Sequence, residues 1–382
     1  MKEDTPMAIA DTIPILRKAE ELSKTFSDRA AYYDENNLFP KENFNDLKQA
    51  GFLALTVPKQ YGGEGLTLRQ FLEFQELIAT GDGATALSLG WHLGVILEAG
   101  EKQNWRGRAF EQLCRKVVND QILLNQAATE SITGSPSRGG LPSTSAVKKD
   151  GGWVLNGTKS FTSMAVALDY SLVTARISGT DTKGTFLVDH RLPGVGVRET
   201  WDTISMRATK SDDLYLDHVH IKGEDLLFTH SGKPSPESWY LQVPAVYLGI
   251  ATAARNEAVS FAQSFSPSTL PGPIKDTPEV QRKIGEIDLE LFTCRHVLYG
   301  TVDKWEQKPE KRPESASELA ATKYVVTNSA NRVVDLAMRV IGARSLSRTS
   351  PLQRHFRDVR AGLHNPPSDD IVLVNIGRKG LG

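Results

Sequence analysis

The spacing of apolar residues changes twice along the chain. From Ile13 to Gly100, apolar side chains recur three or four positions apart, as at Leu16 and Ala19, which predicts amphipathic helices. From 122 to 228, short apolar runs such as Trp153-Val154-Leu155 alternate with Gly, Asp and Asn, which is typical of antiparallel strands. Helical spacing then returns in four segments, at 239–263, 279–305, 315–341 and 351–363. The pattern predicts an α+β protein with helices on both sides of a β region.

The two changes of pattern suggest three domains. We expect an N-terminal α-helical domain over 1–120, a middle antiparallel β domain over 121–233 and a C-terminal four-helix bundle over 234–382. The chain has 382 residues, of which 40% are hydrophobic, so it can build sizeable cores.

Charge and cysteine usage narrow the class of partner. The 45 Lys and Arg residues balance 46 Asp and Glu residues, giving a net charge of -1, which provides no field to recruit nucleic acid or a charged membrane. No apolar run is long enough to predict a membrane span. The two cysteines are far apart, and the acidic start is unlike a signal peptide, so we predict a cytoplasmic protein. His218 and His220 alternate on a predicted strand, and no metal site is expected. We expect a small-molecule substrate.

A polar turn opens the β region with the segment Thr129-Glu130-Ser131-Ile132-Thr133-Gly134-Ser135. It resembles the first signature of the acyl-CoA dehydrogenase family. The resemblance implies that Thr129 contacts the pyrimidine edge of the flavin and Ser135 its pyrophosphate, contacts for which hydroxyl groups are suited. Taken alone, the same residues also fit a plain strand-to-loop turn.

A second segment, Leu155 to Ser163, resembles the family's Asn-Gly-x-Lys-x-Trp-Ile-Thr stretch. Phe161 takes the aromatic place, and Ser163 takes the place of the Thr that faces flavin N5. Because the two residues are two apart, we expect them on one face of a strand. The Asn156-Gly157 pair is also typical of a hairpin turn on turn chemistry alone.

Further matches follow in the family's order, at Phe39-Pro40, Val57-Pro58, Met206-Arg207, Val340-Ile341-Gly342 and Phe356-Arg357-Asp358. The resemblance therefore covers nearly the whole chain. It implies the family's fold, in which the middle domain over 121–233 is an antiparallel β-barrel. It also implies FAD as cofactor, and a homodimer or homotetramer assembled through the bundle.

The chain departs from the family at the catalytic base. Family members remove a substrate proton with a Glu carboxylate that follows an aromatic residue after the Arg-Asp helix, and alignment places Asn365 there, after His364. An amide cannot accept that proton. Some members carry the Glu early in the first bundle helix, where this chain has Trp239.

Other carboxylates are possible replacements for that base. Asp370 is the candidate in the C-terminal loop, and Glu237 is a more distant one. The alternative is that Asp369 and Asp370 begin a helix as an N-cap and a first-turn charge.

A second departure concerns the cofactor and the substrate handle. Ser264 to Thr269 stands where the family often has an Arg-Lys-Thr-Phe-Gly stretch that holds FAD phosphates, which leaves FMN or reduced flavin open. At the substrate entrance, Glu237 and Tyr240 replace an Asp and an Arg of many homologues, so the sequence does not establish CoA as a handle.

Two reactions fit these features, and so does a protein that binds flavin without catalysing a reaction. The first is an FAD-dependent oxidoreductase acting on the CH-CH group of an acyl-CoA-like substrate, with electrons passing to an electron carrier and Asp370 as base. The second is a flavin-dependent monooxygenase that uses oxygen, with His364 exchanging a proton and Ser163 placed near flavin N5. The third is a degenerate flavin-binding member. His92 is expected to be a helical core residue bonded to a backbone carbonyl.

Overall fold

The computed structural model of the chain describes residues 9–134, 140–230 and 236–382. Five helices make up its N-terminal part. Two of them have clear start signals: Thr67 and Gln70 form a capping box before the third, and Asp82 accepts from Thr85 N at 3.1 Å before the fourth. The helices are α1 (Ile9–Glu35), α2 (Lys41–Gln49), α3 (Leu68–Ala79), α4 (Gly83–Lys102) and α5 (Ala109–Asp120).

Eight strands follow and form one sheet. Their order is β6-β7-β3-β2-β4-β5-β8, with β1 paired to β4 beside this path. The strands are β1 (Leu124–Ala127), β2 (Ser145–Lys149), β3 (Gly152–Lys159), β4 (Tyr170–Ile177), β5 (Lys183–Asp189), β6 (Val195–Arg198), β7 (Asp213–Ile221) and β8 (Leu226–Thr229).

The sheet corrects the prediction of an antiparallel barrel in two respects. Strand β4 pairs parallel with both β1 and β2, because the connections between them are long enough to return the chain in the same direction. Within the described residues no ladder joins the edge strands β6 and β8, so the sheet is open. The β region itself lies where the pattern placed it.

The Asn156-Gly157 pair does not make the hairpin that its turn chemistry suggests. Strand β3 runs through both residues, with a bulge between Leu155 and Gly157 opposite β7. A Cβ at Gly157 would lie 2.5 Å from Thr144 Oγ1, so the close approach of Thr144, just before β2, explains the glycine. The hairpin between β2 and β3 turns instead at Asp150 and Gly151, which both have positive φ.

The C-terminal part contains the four predicted helices and one more. A 3-10 turn, Ser238–Leu241, leads into the first of them. The helices are α6 (Gln242–Ser264), α7 (Pro278–Gln307), α8 (Ala316–Ile341), α9 (Pro351–His364) and α10 (Asp369–Leu381). Asp369 and Asp370 lie in the first turn of α10, as the helix-start interpretation of this pair predicts.

Two large apolar cores organise the described part of the molecule. One is formed inside the sheet by residues such as Leu155, Val173 and Phe186. The other is continuous from the N-terminal helices into the bundle, because α3 and α4 pack against α6. A Cβ at Gly94 of α4 would lie 2.5 Å from the Trp239 ring, so this glycine lets α4 approach the start of the bundle.

A polar junction fixes the loop between β6 and β7 against helices from both ends of the chain. Arg357 of α9 pairs with Asp34 of α1 and donates to Ile204 O at 2.7 Å. Met206 N donates to Asp358 Oδ1 at 2.6 Å. The loop that precedes β7 is therefore held by α9, which is itself paired with α1.

In the ranges given above, none of the helices combines the length and apolar character needed to cross a bilayer.

Candidate flavin site

The first flavin-like segment is built around a buried ion pair. Glu130 follows Thr129, and its Oε1 accepts from Lys159 Nζ at 2.6 Å, with both side chains almost fully buried. The Glu130 carboxylate also accepts from the main-chain and side-chain groups of Ser143 and Thr144, and from Thr133 Oγ1 at 2.9 Å. This carboxylate therefore ties the Thr129 turn to the strands on either side.

The electrostatics of this pair follow from its hydrogen bonds. Burial alone would raise the pKa of Glu130, but the hydrogen bonds from Lys159, Ser143 and Thr144 outweigh burial and hold that pKa well below its usual range. Burial lowers the pKa of Lys159, against the pull of Glu130. The hydrogen-bonded pair acts as a structural anchor for the turn.

The structure separates Phe161 and Ser163, which were expected on one strand face. Strand β3 ends at Lys159, and Phe161 has a left-handed φ of 57°. The Phe161 ring is 63% exposed and meets the Trp201 ring edge-on, whereas Ser163 is buried. The prediction of a shared strand face is wrong because the chain turns after Lys159.

Ser163 is held by the loop before β7. Its neighbours Thr162 N and Met164 N donate to Asp212 O at 3.1 Å and Thr209 O at 2.9 Å. Its own carbonyl accepts from Asn125 Nδ2 of β1 at 3.1 Å, and its hydroxyl lies 2.9 Å from Ser211 Oγ. Thr129 lies beside this segment, because its carbonyl accepts from Ser160 N at 2.9 Å. Thr129, Phe161 and Ser163 thus belong to one local unit.

This unit has the properties that a flavin needs. Phe161 offers an exposed aromatic ring, an apolar surface suited to a flat ring system. Thr162 Oγ1 is buried and has no hydrogen-bond partner among the described residues, so a polar group remains to be satisfied there. The residues present therefore fit the cofactor. Ser135, predicted to contact the pyrophosphate, lies outside the described residues.

The C-terminal loop is arranged differently. Asn365 caps the end of α9, and its Oδ1 accepts from the hydroxyl of Tyr247 in α6 at 2.7 Å. Tyr247 is fully buried, and burial raises the pKa of its phenol, so the phenol remains a donor at alkaline pH. The position that alignment gives to the family's base thus holds an amide with a fixed partner.

The other polar residues of this loop do not form one cluster, and they differ in exposure and in hydrogen bonding. Asp369 accepts from Lys323 Nζ at 3.1 Å and from Asn328 Nδ2 at 2.9 Å, so both of its oxygens are engaged. Asp370 and His364 are exposed. Within the described ranges, no hydrogen bond or ion pair joins either residue to Thr129, Phe161 or Ser163, so their catalytic roles stay predictions.

His92 has the structural role that its helical position predicts. It is fully buried in α4, with Nε2 2.9 Å from Leu53 O, and Leu124 N donates to its Nδ1 at 3.2 Å. Nε2 must therefore carry the proton of a neutral ring. Burial lowers the pKa of His92 to about 4. The residue links α4 to strand β1, next to the flavin-like unit.

The substrate-entrance residues are also engaged. Glu237 accepts from Lys102 Nζ at 2.9 Å, and Lys102 pairs with Glu98 as well. Burial, together with the charge of Glu237, raises the pKa of Glu98 to about 8. Tyr240 stacks on Trp239 with 4.3 Å between ring centroids. Trp239, at the alternative position of the family's Glu, is a packing residue.

The match to sequence profiles agrees with this architecture. The profile "Acyl-CoA dehydrogenase, N-terminal domain" matches 16–105, the middle-domain profile matches 125–219, and the C-terminal-domain profile matches 241–365. The chain belongs to the acyl-CoA dehydrogenase family. Enzymes of this family use FAD, and the chain is accordingly a flavin oxidoreductase.

Relatives of this acyl-CoA dehydrogenase family member cover several reactions. It is 49% identical over 360 residues to a Bacillus subtilis protein named "Putative acyl-CoA dehydrogenase YdbM", with 94% of each chain covered. The structure of Paenibacillus TdsC with FMN and indole matches with a TM-score of 0.84 and 25% identity over 95% of both chains. TdsC is a dibenzothiophene monooxygenase. Butyryl-CoA dehydrogenase from Megasphaera elsdenii matches with a TM-score of 0.86 and 22% identity, over 99% of this chain and 100% of the other, which shows a shared fold.

Sequence reasoning missed several residues of this family member's site. Lys159 and Glu130 both stand inside the quoted motifs, yet their pairing depends on how β3 passes the Thr129 turn. The sequence carried no clear signal for this pair, because Lys159 ends a strand that also contains Asn156 and Thr158. Tyr247, Thr209 and Ser211 were missed because their partners lie far away in sequence or in an irregular loop.

Proposed function

We propose that this chain is a flavin-dependent monooxygenase of the acyl-CoA dehydrogenase fold. The observation that carries the proposal is the Asn365 amide, which accepts a hydrogen bond from Tyr247 where a dehydrogenase needs a carboxylate. Removal of an α proton needs a carboxylate held beside the substrate. Asp369 is committed to Lys323 and Asn328, and Asp370 is exposed to water.

The residues of the flavin-like unit would hold the cofactor by different contacts. Thr129 would meet the pyrimidine edge, Ser163 would lie at N5, and Phe161 would pack against the ring system. Ser135 would contact the pyrophosphate. When bound in its reduced form, the flavin supplies electrons and activates oxygen. Glu130 and Lys159 would keep the Thr129 turn in the geometry that these contacts require.

His364 would exchange a proton with the substrate. It is the last residue of α9, directly before Asn365, and its side chain is exposed. An imidazole can both accept and return a proton near neutral pH without a partner carboxylate. Similarity to TdsC, which is a monooxygenase, supports the monooxygenase reaction.

A dehydrogenase acting on the CH-CH group of an acyl-CoA-like substrate is the second candidate. The relative named as an acyl-CoA dehydrogenase, at 49% identity, favours it. In that reaction Asp370 would be the base and an electron carrier would receive the electrons. The loop would then have to bring Asp370 to the substrate, away from its exposed place in the first turn of α10.

The cofactor would be FAD, with FMN as the alternative. The segment after α6 has no Arg at the place where the family often holds FAD phosphates. The nearby Arg344 guanidinium lies 4.2 Å from the centre of the Phe265 ring. Isothermal titration of the flavin-free protein with FAD and FMN distinguishes the two. We further propose a homodimer or homotetramer in the cytoplasm, which light scattering tests.

One pair of measurements separates the two reactions. The reconstituted protein is titrated with butyryl-CoA without oxygen, and in parallel supplied with reduced flavin, ¹⁸O₂ and indole or dibenzothiophene. The monooxygenase proposal predicts labelled oxygen in a product and no bleaching by the thioester. Stoichiometric bleaching by butyryl-CoA without label incorporation would overturn it in favour of the dehydrogenase.

A further inference from the structure

We propose that Thr209 and Ser211 fix the direction of the Ser163 hydroxyl, so that Ser163 accepts a hydrogen bond from the flavin and cannot donate one. Both are positioning residues that act through Ser163. The inference rests on the proposed flavin site, and it concerns which redox state of the flavin that site prefers.

Three buried hydroxyls form a continuous chain behind Ser163. Ser163 Oγ lies 2.9 Å from Ser211 Oγ, and Ser211 Oγ lies 2.8 Å from Thr209 Oγ1. Thr209 Oγ1 donates to Met206 O at 2.9 Å. All three hydroxyl-bearing residues are at most 6% exposed, so water does not compete for these bonds.

The number of protons sets the polarity of this chain. A hydroxyl has one proton, and a carbonyl oxygen can only accept. Because Thr209 gives its proton to Met206 O, it can only accept from Ser211. Ser211 has then used its own proton and can only accept from Ser163. The Ser163 proton therefore points inward, which leaves a lone pair for the flavin side.

The backbone keeps the chain in register. Thr162 N and Met164 N, on either side of Ser163, donate to Asp212 O and Thr209 O at 3.1 and 2.9 Å. Met206 O, the acceptor at the end of the chain, is also fixed in place, because Trp201 Nε1 and Thr209 N each donate to it at 3.1 Å. The three oxygens therefore cannot separate without breaking the loop before β7.

The polarity matters at flavin N5, which the family resemblance places opposite Ser163. N5 of oxidised flavin is an acceptor, whereas reduced flavin carries a proton there and donates. A Ser163 oxygen that can only accept bonds to the reduced form and opposes a lone pair of the oxidised form. The site should therefore bind reduced flavin more tightly than oxidised flavin, which suits an enzyme that begins its turnover with reduced flavin.

The test measures the midpoint potential of the bound flavin, which reports the ratio of affinities for its two redox states. Ser211→Ala and Thr209→Val both free the Ser163 proton to turn outward. The valine keeps the shape of threonine, so it guards against misfolding. Thr209→Ser keeps the hydroxyl chain. Ser171→Ala removes a buried serine bonded to His190 elsewhere in the sheet and serves as the control.

We expect Ser211→Ala and Thr209→Val to reduce the preference for reduced flavin about tenfold, which is about 30 mV for a two-electron couple. Thr209→Ser and the control should retain the parent potential. An unchanged or raised potential in both test variants overturns the inference, because the chain would then lack this polarity. A parent protein that takes up no flavin refutes the proposed function instead.

Discussion

The carboxylates of the Thr129 turn and of the C-terminal loop differ in their burial and in their hydrogen-bond partners. Glu130 is buried, paired with Lys159 and bonded by Thr133, Ser143 and Thr144. In the C-terminal loop, Asp370 is exposed, Asp369 is bound to α8, and an amide occupies the aligned place of the base. The buried carboxylate has partners enough to offset its desolvation, so its role is to hold the backbone.

This difference distinguishes the residues that hold the cofactor loop in place, which we call the frame of the site, from the residues that would react with substrate. A residue that fixes a cofactor loop is surrounded by partners, and its motif can be recognised from sequence. A residue that reacts with substrate must keep a proton-donating or proton-accepting atom accessible. It therefore makes few hydrogen bonds to the protein by which it could be recognised. The same contrast explains why the flavin contacts are easier to assign than the proton acceptor.

The largest expected effect lies in the open loop. If His364 exchanges the substrate proton, His364→Ala should lower oxygen-dependent turnover by about 10²- to 10⁴-fold, as the loss of a general acid or base does. Asp370→Asn, a matched change in the same loop, should have little effect. Stopped-flow and steady-state assays with reduced flavin measure both.

The opposite result would identify the other reaction. Loss of flavin reduction by an acyl-CoA in Asp370→Asn, with His364→Ala active, supports Asp370 as the base of a dehydrogenase. If both variants retain parent activity in both assays, neither residue is catalytic.

The next effect tests the buried frame. Glu130→Gln leaves Lys159 buried without its carboxylate partner, and breaking such a pair costs about 3–5 kcal/mol of unfolding free energy. Glu318→Gln breaks the Lys304 pair, whose members are 44% and 39% exposed, and should cost less than about 1 kcal/mol. Urea denaturation followed by circular dichroism compares them. Equal losses would contradict the contrast drawn between buried and exposed carboxylates.

A smaller effect concerns His92, which supports the same frame from behind. Its folded pKa of about 4 is below the ordinary value of 6.5, so unfolding favours proton uptake between these values. His92 therefore contributes stability above pH 6.5 that is lost as the pH falls towards 4, by about 1.4 kcal/mol per unit. His92→Gln should lessen this slope, measured by denaturation from pH 7 to pH 5. Burial also lowers the pKa of His190 to about 4 and that of His355 in α9 to about 3, and both residues titrate in variant and parent alike. Parallel curves for variant and parent would therefore exclude His92 as the cause of the slope.

Sequence reasoning recovered the large elements because their cause is local. Apolar spacing alone defined the helices from α6 to α9, and turn residues outlined the strands. It failed where pairing is non-local: β1 and β2 run parallel to β4, and Asn156-Gly157 forms a bulge because Thr144 lies close by. The family match is confirmed, yet the roles assigned to Thr129, Ser135, Phe161, Ser163, His364 and Asp370 remain predictions.

The site illustrates the same limit. Thr129 and Ser163 could be proposed because their motif is contiguous in sequence. The chain through Ser211 and Thr209 depends on a loop whose left-handed residues, Met206 and Lys210, no periodicity predicts. Likewise, the replacement of the family's Glu by Asn365 can be seen in the sequence. Its hydrogen-bond partner Tyr247 cannot, because it lies in α6, 118 residues away along the chain.

The smallest expected effect tests whether the Tyr247 hydroxyl fixes the orientation of the Asn365 amide. Tyr247→Phe removes the phenol that donates to Asn365 Oδ1 at 2.7 Å, and loss of one hydrogen bond should reduce unfolding free energy by about 1 kcal/mol. Tyr324→Phe, on the neighbouring α8, is the control, since its hydroxyl makes no hydrogen bond within the described ranges. A double-mutant cycle with Asn365→Ala isolates the pair, because the second change should cost little once the first has removed the partner. A coupling near zero would mean that the amide does not depend on Tyr247. The C-terminal loop would then lack the one side-chain bond that fixes its amide, and Asn365 could turn towards the substrate.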